Sequence, residues 1–239
     1  SATVIFTVMD SCGNSNNASA TFTIQDTTKP IITCQTQTTP LNCPATPVWV
    51  SATATDVCDA TVAITFTDNT INGSCTGTYT TTRTWTATDD CGNTATCSAT
   101  IVVQDITAPL ITCVAQTTPI NCPAMPVWNT ATATDACDMT VAITFSDAST
   151  AGTCAGTSSN TRTWTATDDC GNSSTCSATI VVQDVTAPSI TCQTQTTPID
   201  CPSAPSWVAA TATDACDMTV AITFSDVSTA GTCAGTSSN

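Results

Sequence analysis

Two residue types could do chemistry in this chain: 17 cysteines and 18 acidic side chains, every one of the latter an aspartate. Against them stand one lysine (Lys29), two arginines (Arg83 and Arg162) and no histidine, for a formal net charge of -15. Without histidine, neither a Ser-His-Asp nor a Cys-His nucleophile system can be assembled, and no imidazole is available to a metal. The charge has the wrong sign for a phosphate backbone, which excludes nucleic acid as a partner, and it disfavours an anionic membrane surface. No apolar run approaches the ~20 residues that span a bilayer. No Cys-x-x-Cys pair occurs, and the closest spacing, Cys91 to Cys97, is wide for a zinc or iron–sulfur centre. The cysteines are therefore expected as disulfides, in an extracellular or cell-surface setting.

The aspartates cluster in turns. Asp56-Val57-Cys58-Asp59 and Asp89-Asp90-Cys91-Gly92-Asn93 are two such loops, and Asp26 sits in the segment leading towards them. Asp26, Asp56, Asp59, Asp89, Asp90 and Asn93 would supply the six to eight oxygens that calcium takes. The equivalent second set is Asp105, Asp135, Asp138, Asp168, Asp169 and Asn172. The competing reading makes them turn formers, because Asp and Asn side chains bond their own backbone and Gly92 supplies a positive φ. The spacing fits no EF-hand loop. Paired carboxylates also suggest a glycosidase, but no insertion shapes a cleft and the same pattern recurs along the chain, so no catalytic residue is assigned and no enzyme is expected.

That recurrence is the main organising feature. Cys34, Cys113 and Cys192 recur every 79 residues, as do Pro30, Pro109 and Pro188, and Trp49, Trp128 and Trp207. Segments 131–160 and 210–239 differ only at Ala148 against Val227. The period divides the chain into the C-terminal half of a module (1–28), two complete modules (29–107 and 108–186) and the N-terminal half of a module (187–239). A half sandwich exposes strand edges and an open core. Either the chain belongs to a longer array, or the halves 187–239 and 1–28 complete each other between molecules, Cys12 then meeting Cys216.

Within a module every signal is β. Val62-Ala63-Ile64-Thr65-Phe66, Arg83-Thr84-Trp85-Thr86-Ala87 and Ala99-Thr100-Ile101-Val102-Val103 alternate with period two. Threonine fills about a quarter of the chain, Leu occurs twice and Glu never. The expected fold is all-β: tandem immunoglobulin-like sandwiches of about seven strands in two antiparallel sheets. The short, proline-closed junctions, such as Gln104-Asp105-Ile106-Thr107-Ala108-Pro109, predict a stiff rod.

Six cysteines per module allow fifteen pairings. In such a sandwich Cys34 in the first strand neighbours Cys97 in the last, and the Cys58 and Cys91 loops share one end. This predicts Cys34–Cys97, Cys58–Cys91 and, by remainder, Cys43–Cys75. The second module follows as Cys113–Cys176, Cys137–Cys170 and Cys122–Cys154, with Cys201–Cys233 in the last segment. Closing loops of this size contributes about 4 kcal/mol each on the chain-entropy model.

The strings 83–93 and 162–172 (Arg-Thr-Trp-Thr-Ala-Thr-Asp-Asp-Cys-Gly-Asn), 95–105 and Thr107-Ala108-Pro109-x-Ile111-Thr112-Cys113 resemble the hyalin-repeat (HYR) family, in its Cys-rich versions from giant secreted surface proteins of Bacteroidota-type bacteria. The resemblance covers the whole chain. It implies an immunoglobulin-like fold, a role in adhesion or as a stalk, and no catalytic activity. Six cysteines in place of two depart from the simpler pattern.

The functional expectation is a structural segment of an extracellular fibre or adhesin stalk, partnered by itself, head to tail or laterally. The alternatives are a module binding surface glycans or proteins, and a filament subunit polymerising by complementation of its half modules. Trp49, Trp85, Trp128, Trp164 and Trp207 are expected to pack in the core, with a carbohydrate-stacking platform as the competing use. Thr-x-Thr ladders at 84–88 and 163–167 read as strand formers before ice-binding surfaces. Asn17, Asn72 and Asn172 begin N-x-Ser sequons.

Overall fold

The computed structural model describes residues 1–200, 202–230 and 237–238. Among these every regular element is a strand, as the β-branched composition requires. No helix is long and apolar enough to cross a membrane. The chain divides into two compact units, Ser1–Thr107 with Ala136–Asp138, and Ala108–Asp135 with Met139–Asn239.

In the first unit, β1 (Ala2–Met9) and β2 (Ser15–Phe22) form an antiparallel hairpin. Then follow β3 (Ile31–Thr33), β4 (Leu41–Asn42), β5 (Thr53–Thr55), β6 (Ala63–Asn72), β7 (Tyr79–Thr88) and β8 (Thr94–Gln104). β3 pairs with β5, and the larger sheet runs β4-β8-β7-β6. β4 lies parallel to β8, with Leu41 opposite Val103, while the other pairs are antiparallel. The complete module thus holds six strands in a two-stranded and a four-stranded sheet, where about seven in wholly antiparallel sheets were expected. β5 reaches β6 through the Asp56–Thr61 turn, and β6 returns to β7 through a turn closed by Gly73 N to Thr78 O at 2.8 Å. Residues 43–52 form no strand; there the backbone of Val50 pairs with the Gln37 side chain in place of a neighbouring strand.

The core lies between the sheets. Trp85 and Ala87 on β7, and Ile101 and Val103 on β8, are at most 2% exposed, and the alternate Thr side chains face outwards. Cys34, just past β3, is bonded to Cys97 on β8 and fastens the small sheet to the large one. Gln37 replaces strand pairing on this side. Its Nε2 donates to the carbonyls of Gln35 and Val50, both at 2.9 Å, and its Oε1 accepts from Val50 N at 2.8 Å. At 9% exposure, that amide is buried with both ends satisfied.

The second unit repeats the plan. β9 (Leu110–Thr112) pairs with β11 (Thr132–Thr134). β10 (Ile120–Asn121), β14 (Ser173–Gln183), β13 (Ser158–Thr167) and β12 (Ala142–Ala151) form the four-stranded sheet in that order, β10 parallel to β14. Cys113–Cys176 joins the two sheets, and Trp164, Ala166, Ile180 and Val182 are buried between them. The unit continues with β15 (Ser189–Thr191) paired to β16 (Thr211–Thr213), and with the short pair β17 (Thr229–Ala230) and β18 (Ser237–Ser238).

Candidate functional site

The cysteines give the first departure from expectation. Cys43, which follows β4, is bonded to Cys137 and not to Cys75. Cys122 is bonded to Cys216 and not to Cys154, which is exposed and free. The Cys137–Cys170 pairing fails with the first of these, and Cys75 and Cys170 are themselves disulfide-bonded. Cys58 and Cys91, expected to bond each other, are both exposed and free. Cys201–Cys233 lies outside the described residues. Cys12 is exposed and free, and so is Cys192, the repeat equivalent of the bonded Cys34 and Cys113.

Both corrected bonds span 94 residues and join an Asn-Cys-Pro turn of one repeat to the Asp-Ala-Cys-Asp loop of the next. The turns beside them are held by side-chain hydrogen bonds. Asn42 anchors the first through Nδ2 to Thr107 Oγ1 at 2.6 Å, and its Oδ1 accepts from Ile106 N at 3.1 Å. The junction segment after β8 is thereby tied to the Cys43 turn. Cys43, Val103 and Cys137 then form a small buried cluster with Leu41 and Tyr79 packed on it. Gly77 closes it, with φ +76° and an added Cβ 2.9 Å from Cys43 Sγ and 3.3 Å from Cys137 Cβ. Cys122, Val182, Cys216 and Ile120 build the same cluster in the second unit.

The aspartates divide into turn builders and a small cluster. Asp89 is 5% exposed. Its Oδ1 accepts from Asn93 N at 2.7 Å and Cys91 N at 3.0 Å, and its Oδ2 accepts from Asn93 Nδ2 at 2.8 Å. Burial works against the charge of this carboxylate, but the Asn93, Cys91 and Gly92 hydrogen bonds outweigh it and hold the pKa below the usual carboxylate value. Asp168 and Asn172 repeat the turn, and so do Asp10 and Asn14. Asp59 accepts from Thr61 N and, across the loop, from Asp90 N at 3.0 Å. Asp56 Oδ1 accepts from Cys58 N at 2.8 Å.

Of the first calcium set, the structure gathers Asp26 and Asp56, together with the Cys58 sulfur, their ligand atoms within 4.8 Å of one another. Asn93 contributes an amide, donating from Nδ2 to the Asp26 carbonyl at 3.3 Å and to Asp89 Oδ2 at 2.8 Å. The second set is divided between the units: Asp105 and Asp138 in the first, Asp135, Asp168, Asp169 and Asn172 in the second. The second unit has its own counterpart of the cluster in Asp184, Asp214 and Cys216, where the cysteine is committed to a disulfide. Two carboxylates fall short of the six to eight oxygens calcium takes. Beside Cys58 the charge acts instead on the thiol: Asp26, then burial, then Asp56 push its pKa up.

The arginines hold a site that sequence reasoning passed over. Arg83 on β7 grips Asp68 on the facing β6 with a bidentate pair, Nε to Oδ1 and Nη2 to Oδ2, both 2.7 Å. Its guanidinium carbon lies 3.8 Å over the Phe66 ring and 4.7 Å from the Trp49 ring centre. Trp49 in turn meets Trp85 edge-on at 5.7 Å. The Asp68 hydrogen bonds lower that carboxyl's pKa and raise that of Arg83. Arg162 repeats the clamp with Asp147, Phe145 and Trp128. The period-two register places Phe66 opposite Trp85 and Asp68 opposite Arg83; without strand pairing, four residues scattered over 49–83 give no signal. The buried Trp85 and Trp164 are core residues, and the half-buried Trp49 and Trp128 flank the clamps. The clamp ties β6 to β7 in the first unit and β12 to β13 in the second.

In segment 187–230 the clamp residues recur without an arginine. Trp207, Phe224 and Asp226 stand where Trp49, Phe66 and Asp68 stand in the first module, and they line an open cleft of about 660 Å³ with Ile190 and Ile222. Trp207 is 52% exposed and Phe224 88%.

No family model and no curated protein matches this chain. Among solved structures, it is similar to the cis-dimer structure of protocadherin gammaB7 domains EC3-6, at 15% identity and a TM-score of 0.34, covering 81% of this chain and 61% of that one. The protocadherin GammaB4 extracellular domain gives 14% and 0.36, covering 82% of this chain and 41% of that one. The chain thus spans less than two thirds of either. The fold assignment, Cys-rich immunoglobulin-like β-sandwich repeats, rests on the sheet pairing described above.

Proposed function

We propose that this chain is a structural segment of an extracellular array of repeats, a stalk or fibre of the HYR-like kind, in which disulfides hold each repeat to the next. The observation that carries this reading is the recurrence of one bond: Cys43–Cys137 and Cys122–Cys216 each join successive repeats at the same positions. A module that needed only its own stability would close its cysteines within itself. Staples between neighbours instead limit bending at each junction, which is useful to a load-bearing rod and irrelevant to a soluble enzyme. An oxidising compartment, at or beyond the cell surface, supplies the conditions these bonds need, and self-association along the array is the partner this reading favours. Electron microscopy of native material tests it directly. Thin unbranched fibres that buckle on reduction are expected, and compact particles unchanged by reductant would sink the reading. A glycan array probed with the intact chain separates out the adhesive alternative, which requires saturable binding to a defined sugar.

A further inference from the structure

We propose that β6 and β12 are lateral docking edges, at which a second copy of this chain adds an antiparallel strand to the four-stranded sheet. Both strands lie in the complete repeats, 29–107 and 108–186, and each ends its sheet. All ten residues of each are exposed. Proteins usually blunt such an edge with a proline, a lysine, a bulge or a very short strand. Neither β6 nor β12 contains proline or lysine, and each pairs one to one with its inner neighbour over its whole length, without a bulge. The opposite edge is blunted, because β4 and β10 have only two residues each.

The free backbone groups follow from the turns. Gly73 N donates to Thr78 O, and Gly152 N to Thr157 O, each at 2.8 Å. The antiparallel ladder alternates from there, so Thr65, Thr67, Asn69 and Ile71 bond β7. Ile64, Phe66, Asp68 and Thr70 turn their N–H and C=O groups outwards. On β12 the outward set is Ile143, Phe145, Asp147 and Ser149. Phe66 and Phe145 are 55% and 59% exposed, so an incoming strand would cover apolar area as well as backbone. A two-fold axis at the edge keeps Ile64 and Phe66 of both copies on one face, where aromatic and β-branched side chains pair well.

Charge selects the occupant. The chain has three basic side chains against 18 aspartates, and two of the three serve these edges. Asp68 and Asp147 are the only charged residues in β6 and β12, and Arg83 and Arg162 neutralise them through bidentate pairs. A basic partner would bind better to a bare carboxylate. A partner carrying the same negative charge needs that carboxylate cancelled, and at a net charge of -15 a second copy is such a partner.

The test is sedimentation velocity on the full chain, with its exposed thiols capped by N-ethylmaleimide so that no new disulfide joins copies. Reversible dimerisation is expected, tightening as sodium chloride screens the remaining like charge. Thr67→Lys with Ser146→Lys sets a cation on each edge and should raise the dissociation constant about tenfold or more, although it makes the chain less acidic. Arg83→Gln with Arg162→Gln leaves both aspartates bare and should also weaken pairing; adding Asp68→Asn and Asp147→Asn should restore it. Melting curves identify any variant that has lost its fold. The wild-type chain supplies a readout that needs no variant: amide exchange at residues 64–70 and 143–149 should slow as protein concentration rises.

A chain that stays monomeric at its highest soluble concentration overturns the proposal. So does a dissociation constant that the two lysines leave unchanged, and so does a failure of the aspartate changes to restore pairing. Protection confined to 1–28 or 187–230 would assign the contact to the incomplete repeats and overturn it equally. Side-by-side pairing goes beyond the end-to-end stapling proposed above, and the two fail separately: a chain that never dimerises still forms a stapled single fibre, and compact particles in the microscope leave the sedimentation result standing.

Discussion

Cys43 and Cys137 share a disulfide across 94 residues, with their Cα atoms 5.9 Å apart. Each belongs to a different sequence repeat, and the Ala136–Asp138 loop that carries Cys137 clusters with the first unit in place of its own. That loop therefore depends on a covalent tie to a neighbour. Cys43→Ser should release it, with Cys137 becoming reactive to iodoacetamide in the native protein and hydrogen exchange rising in residues 136–138. The cost in stability is expected at about 2–5 kcal/mol. Unchanged exchange in that loop would mean that the disulfide is incidental to its placement.

Gly77 presses on the same bond. Its positive φ strains any side chain, and a Cβ would lie 2.9 Å from the Cys43 sulfur. Gly92 has a similar φ of +88° but meets nothing within 4 Å. Gly92→Ala should thus cost only its backbone strain, about 1 kcal/mol, and Gly77→Ala that strain plus overpacking, about 2–4 kcal/mol. Thermal melts of the two variants compare them directly, and equal losses would remove the close approach as a cause.

These comparisons show what could be read in advance and what could not. The strands were legible because Thr, Val and Ile alternate against a buried face, and Cys34 beside Cys97 follows from a first strand lying against a last one. Cys43 was not. Cys58 and Cys137 occupy the same repeat position, so a pairing inside a module and one between modules look alike in a periodic sequence. The hydrogen bonds by which Asn42 ties the Cys43 turn to residues 106–107, at the end of its own repeat, are likewise invisible in the spacing. The arginine clamp was hidden for a related reason: Asp68 faces Arg83 only once the β6–β7 register is known.

The clamp makes a pH prediction. Asp68 has its pKa lowered in the folded chain below the ordinary carboxylate value, chiefly by the Arg83 hydrogen bonds. A depressed folded pKa contributes stability that is present above the unfolded value and lost as pH falls through the folded one. The pair should therefore stabilise the fold fully at neutral pH and fade below about pH 4. Both side chains are partly exposed, 16% for Arg83 and 35% for Asp68, so screening keeps the ion pair itself small, about 1 kcal/mol or less. Asp68→Asn should flatten the acid limb of the melting curve; an unchanged pH dependence contradicts the pairing.

Calcium should have little effect. Asp59 and Asp89 already accept backbone N–H groups, and the atoms drawn together are the carboxylates of Asp26 and Asp56 with a sulfur. Titration calorimetry should register no saturable heat, and a chelator should leave the melting temperature in place. A stabilisation of several degrees by millimolar calcium would restore the six-residue site.

The last prediction concerns the thiol in that cluster. Asp26, then burial, then Asp56 raise the Cys58 pKa above its ordinary value, so at neutral pH its thiolate, the reactive form, is scarce. Alkylation of Cys58 should be slow near pH 7 and accelerate well into the alkaline range. Asp26→Asn removes the largest of these influences and should shift the rate profile to lower pH, with Asp56→Asn doing the same more weakly. Because Asp56 Oδ1 also accepts from Cys58 N, the second variant risks loosening the loop, and Asp26→Asn is the cleaner measurement. A profile for Cys58 that does not move in Asp26→Asn would show that Asp26 does not reach the sulfur in solution, and the cluster would reduce to three independent side chains.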